Sequence, residues 1–145
     1  MKKLLLTTLL TAFTLPVLAN PGGAERQQAF KKMLLQFEPM GVVVRGRDPY
    51  NKATFIQHAD AFKLAAEQPF TLFVPNSIDA KSRAKPEIWS QPAKFQGEKD
   101  KFFKAVDALN VAAHSGDLAS IKKNYDLVSQ SCKSCHDTFR GPKVE

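Results

Sequence analysis

Near the end of the chain, Leu118, Ile121, Tyr125, Val128, Cys132, Cys135 and Phe139 follow one another at steps of three, four, three, four, three and four. Residues three and four apart share one face of an α-helix, so this run is the seam of a helix packed against other helices. Asp117 stands where such a helix wants its N-cap, and Gly141-Pro142 stands where it must stop. A single buried stripe cannot be covered by the helix that carries it. The rest of the chain must therefore supply helical faces to enclose it.

The two cysteines on that seam are the only ones among the 145 residues, and the segment reads Cys132-Lys133-Ser134-Cys135-His136. Two cysteines three apart with a histidine after the second form the attachment pattern of a c-type haem. On a helix, both thiols lie on one face about one turn apart, placed to form thioethers with the vinyl groups on one edge of the porphyrin. His136 is displaced roughly 100° round the helix, where its imidazole can reach the iron as the proximal ligand. A thioredoxin-like redox pair would need a βαβ setting, and no convincing strand pattern is found. A structural zinc site needs four ligands, and the other histidines, His58 and His114, are isolated in the sequence.

The N-terminus opens with Met1-Lys2-Lys3 and an apolar run from Leu4 to Leu18, and Val17-Leu18-Ala19 has the small-x-small form of a signal-peptide cleavage site. The run is short for a membrane span, which takes about 20 apolar residues. We expect residues 1–19 to be a cleaved signal peptide and residues 20–145 to be one haem domain, with no membrane span after cleavage. Loss of Lys2 and Lys3 takes the formal charge from +7 to +5. The basic residues are spread without a run of five, which argues for an ordinary solvated surface and against nucleic acid as a partner.

Three earlier stretches have helical periodicity. From Pro21 to Val44 the stripe is Phe30, Met33, Phe37 and Met40, and Pro39 is expected to kink the helix or start a second piece. Asn51 is a cap for a helix to about Glu67, with Phe55, Ala59, Phe62 and Ala66 inward. Gln68-Pro69 ends it, and Phe70 to Trp89 reads as a long apolar loop packed onto the helices. The third helix starts near Ser90, carries Pro92 in its first turn, and buries Phe95, Phe102, Val106, Leu109 and Ala113. The expected fold is all-α: an antiparallel four-helix bundle with haem attached to the C-terminal helix.

With these features the chain resembles the cytochrome c′ family, class II c-type cytochromes built on such a bundle. The resemblance rests on Arg26-Gln27 with Phe30 and Met33, on Gly46-Arg47-Asp48-Pro49-Tyr50, and on Ala84-Lys85-Pro86-Glu87-Ile88-Trp89-Ser90. It rests most on Cys132 through Arg140.

The resemblance implies one haem c, bound through Cys132 and Cys135, in the periplasm of a Gram-negative bacterium. In six-coordinate, low-spin relatives a first-helix methionine reaches the iron, and that position corresponds here to Phe30. Phenylalanine has no donor atom, so the iron would stay five-coordinate behind an apolar screen that admits NO or CO, while oxygen lacks a polar donor. The family pattern also implies that Arg26, grouped with Gln27, meets a haem propionate and that Arg140 lines the proximal side. Further implications are homodimer formation through the first two helices and a redox partner of unknown identity. The alternative is a low-spin electron carrier with Met33 as sixth ligand; otherwise Met33 and Met40 are core. His58 and His114 are expected near the surface. An enzymatic reading, such as peroxide chemistry, lacks an acid–base pair near Phe30.

Overall fold

The computed structural model describes residues 21–143, so the expected signal peptide at residues 1–19 lies outside the described residues. Four long helices, α1 (Gly23–Val44), α2 (Lys52–Ala65), α5 (Pro92–Ser115) and α6 (Leu118–Phe139), form an antiparallel bundle. Two one-turn helices, α3 (Gln68–Thr71) and α4 (Glu87–Ser90), sit at either end of the long loop. Contacts are densest between α5 and α6, followed by α1 with α2 and α2 with α5. No described helix is long and apolar enough to cross a membrane.

Helix α1 runs through Pro39 as one helix, so no second piece begins there. The proline forfeits a backbone donor and crowds the preceding turn, a penalty of about 3 kcal/mol in a helix interior. Its neighbours outweigh that. Phe37 and Met40 are buried on either side of it, and Phe37 stacks on Tyr125 of α6 with ring centroids 4.3 Å apart. Gly41 makes this approach possible, because a Cβ there would collide with the Tyr125 ring and hydroxyl.

The ends of the helices follow local chemistry. Asn51 accepts from the Thr54 N–H at 3.0 Å, and α2 stops at Ala65, two residues before the expected Glu67. Asp117 accepts from the N–H groups of Ala119 and Ser120, closing the first turn of α6. Pro92 is the first residue of α5, and Ser90, its expected start, belongs to α4. Gly116 ends α5 in the left-handed region at φ 81°, a conformation that glycine adopts without steric cost.

The α6 seam is buried as the spacing requires: Ile121, Tyr125, Val128 and Phe139 are all core. Cys132 and Cys135 are half-buried, and Leu118 is exposed in the first turn at the edge of the bundle. The loop between α3 and α4 is then stitched to the far end of α6. Lys85 N–H donates to Phe139 O at 3.0 Å, and Gly141 N–H to Arg83 O at 2.7 Å. The Arg83 guanidinium also donates to the Gly141 and Pro142 carbonyls.

Candidate functional site

Between α1, the loop, α5 and α6 lies a cavity of about 710 Å³, within the range of ~300–1,000 Å³ usual for small-molecule and cofactor sites. Its walls include Phe30, Phe70, Phe73, Phe95, Phe102 and Phe139, so the interior is mainly aromatic. Cys132, Cys135 and His136 line it from α6, and Arg26, Gln27, Phe30 and Met33 from α1. Arg140 lines it just past the end of α6. All seven residues expected at the site therefore share one wall set. Met40, His58 and His114 are not part of it. Met40 is core at 1% exposure, His58 bonds Gln36, and His114 bonds Asp60 on the bundle surface.

The donor set is prepared for a haem. Cys132 and Cys135 are free thiols, and burial pushes both up to about 11, with Glu98 and then Cys132 raising Cys135 further. At neutral pH both are protonated and available to add to vinyl groups. His136 is lowered from its ordinary value, first by partial burial and then by the nearby Arg140 and Arg83 guanidinium groups. Its imidazole is thus neutral at pH 7, the form that offers a lone pair to a metal. Among the described residues, no group of three His, Cys, Asp or Glu gathers as a separate metal site.

Charge around the cavity is one-sided. Lys31, Lys81, Arg83, Arg140 and Lys143 line it together with Arg26, and Glu98 is the single acidic residue among the described lining residues. An aromatic slot with thiols and an imidazole on one wall and cations around it fits a flat apolar ring bearing carboxylates. The residues present fit haem.

Two α1 side chains are fixed from the loop. Phe30 meets Phe70 and Phe73 edge-to-face, with centroids 5.6 and 6.2 Å away. Arg26 is only 4% exposed. Its Nη1 donates to Leu72 O and Ser77 Oγ, its Nη2 to Ser77 O and Ser82 Oγ, and it lies 5.1 Å from the Phe73 ring centre. Both terminal nitrogens are therefore engaged by the loop, leaving Nε as the donor outside this clamp. Gln27 also reaches the loop, donating to Lys81 O at 2.6 Å.

Sequence reasoning misses several contributors to the cavity. Phe70 and Phe73 were assigned only to loop packing, and Arg83 has no local signal. Glu98 could have been found, because it lies three residues after Phe95 and four before Phe102, on the stripe that should be apolar.

A four-helix bundle that carries a C-x-x-C-H segment on its last helix, facing an aromatic internal cavity, defines a bundle-type c cytochrome. The cytochrome c′ family model matches residues 23–140. The cytochrome c′ of Cereibacter sphaeroides is 36% identical, over 97% of this chain and 98% of its own. That of Alcaligenes xylosoxydans xylosoxydans is 34% identical, over 81% of this chain and 91% of its own. Among solved structures, a nitric oxide complex of an Alcaligenes xylosoxidans cytochrome c prime variant matches with a TM-score of 0.78 at 34% identity. The match covers 81% of this chain and 91% of that one. A carbon monoxide-bound variant of the same protein matches equally well, at 0.78 and 33%. The chain belongs to the cytochrome c′ family. As a member it binds haem c, and Cys132 and Cys135 are its two cysteines for covalent attachment.

Proposed function

We propose that this is an exported, periplasmic haem protein of a Gram-negative bacterium. In this reading His136 holds a five-coordinate, high-spin iron that binds NO and CO, and the protein serves electron transfer or protection from nitrosative stress. The observation that carries the reading is Phe30, a side chain without a metal-binding atom, wedged in the cavity wall against Phe70 and Phe73. Bound haem supplies an iron with one open position. The protein decides what reaches it. An aromatic screen without a hydrogen-bond donor leaves NO and CO as ligands and disfavours oxygen. Solved variants of the Alcaligenes xylosoxidans relative bear NO and CO, which supports the same reading.

The other residues take roles consistent with their surroundings. Arg140, lowered by burial and by Arg83, would edge the His136 side of a bound haem, and Arg26 and Gln27, which hold the loop, would meet its carboxylates. The apolar run from Leu4 to Leu18 and the small-x-small pattern at Val17-Leu18-Ala19 support the proposal of export. Phe30 is flanked by the rings of Phe70 and Phe73, and we read the protein as a gas binder and electron carrier.

Absorption and EPR spectra of the haem-loaded protein test this. High-spin five-coordinate iron that takes NO and CO but not oxygen is expected. Low-spin iron unresponsive to CO would replace this reading with the second one, a low-spin electron carrier. Met33 favours that alternative, because it lies on the same wall one turn beyond Phe30. A sulfur-to-iron charge-transfer band would identify Met33 as the ligand, and its absence would exclude it.

We also propose a homodimer through α1 and α2, where Leu35 and Leu64 are 57% and 85% exposed. Sedimentation at micromolar concentration should give twice the chain mass. A concentration-independent monomer would refute it.

A further inference from the structure

We infer that Glu98 is a fixed negative charge in the cavity wall that biases the bound haem iron toward its oxidised state, with Lys101 moderating it. This rests on the reading that haem occupies this cavity. Glu98 is 8% exposed and is the single acid in the wall described above. Its Oε1 accepts from Lys101 Nζ at 2.7 Å, while Oε2 is sealed from solvent and has no hydrogen-bond partner. Phe95 and Phe102, on the same stripe of α5, are both wall residues, which places Glu98 on the inward face. Across from it stands Cys135 on α6, whose thiol feels the carboxylate.

A buried carboxylate with one oxygen unpaired is costly, and a wall needed only for packing would be better served by an apolar side chain. Lys101 first, and the Ser134 side chain after it, keep the group ionised, holding its carboxyl below the usual range. That ammonium is mostly exposed, at 66%, so water weakens its cancellation of the carboxylate's field. The field on the cavity side stays negative. Reduction removes one positive charge from the iron as it takes one electron from the donor, so a nearby negative charge favours the ferric form. The group acts through space. Nothing requires it to touch the iron.

The test is the midpoint potential of the haem-loaded protein by spectroelectrochemistry. In Glu98→Gln, the ferrous-to-ferric ratio at a fixed solution potential should rise roughly threefold or more, as expected for one charge removed from a weakly screening environment. In Lys101→Met the ratio should fall, and Lys63→Met, which removes an exposed lysine paired with Asp107 away from the cavity wall, should leave it unchanged. The Glu98→Gln shift should persist at high salt, because buried charges are little screened. A ratio that stays constant or falls in Glu98→Gln overturns the inference, as do shifts of the same sign in both variants. If Glu98→Gln fails to fold, Lys101→Met decides alone. A wild-type chain that carries no covalent haem would instead defeat the site reading itself.

Discussion

Replacing Phe30 with methionine is expected to turn the proposed five-coordinate, gas-accepting iron into a six-coordinate, low-spin one. By resemblance, six-coordinate relatives place a first-helix methionine at this position, and the side chain already lines the cavity here. Helix α1 is continuous across the site, and Ala29 and Met33 beside it are core, so the backbone will not shift to withdraw the new side chain. Two edge-to-face contacts are lost, each worth about 0.5–1.5 kcal/mol, and an unbranched thioether refills much of the space. Only a donor atom is gained. A thioether–iron bond worth about 3 kcal/mol would lower apparent CO affinity roughly a hundredfold, because CO must displace it. The expected readouts are a low-spin EPR signal, a sulfur-to-iron charge-transfer band and loss of the CO spectrum. Phe30→Ala, which removes the screen without supplying a ligand, should remain high-spin and bind CO faster. A methionine variant that stays high-spin and binds CO like the parent would place Phe30 away from the iron.

Much of this molecule is written locally. The α6 seam, the Asp117 cap and the stop at Gly141-Pro142 depend on residues within one turn of each other, and periodicity alone predicts where Cys132 and Cys135 face. Pro39 shows where local rules fail. A strong local helix-breaking signal is outweighed by Phe37 and Met40, whose burial depends on Tyr125 and α2, far away in sequence. The site divides the same way. Cys132, Cys135 and His136 are legible as a motif, whereas Arg83 is drawn into the cavity by the carbonyls of Gly141 and Pro142, 58 and 59 residues along the chain. No window of sequence contains that pair. Glu98 is intermediate: one charge on an apolar stripe is visible, but its unpaired oxygen is not.

Arg26 gives the second large expectation. Arg26→Met should destabilise the haem-loaded protein by about 3 kcal/mol or more, since hydrogen bonds to a charged group each contribute ~1.5–3 kcal/mol and four are lost. Methionine fills the volume but leaves the Leu72 and Ser77 carbonyls without their donor, and buried acceptors left unpaired cost further. Lysine should restore only part of the loss. Its single ammonium has three donors on one point and cannot spread them over acceptors on Leu72, Ser77 and Ser82 as a planar guanidinium does. The measurement is a guanidinium chloride titration, in which the midpoint falls while the slope is kept. A functional consequence follows from the same geometry. Arg26 pins the segment that carries Phe73, and Phe73 is one of the two rings that hold Phe30. Loosening that segment should speed CO binding without changing the iron's ligand number. Stability within about 0.5 kcal/mol of the parent would show that the loop is held by its own packing, and Arg26 would then be left with a role toward the cofactor alone.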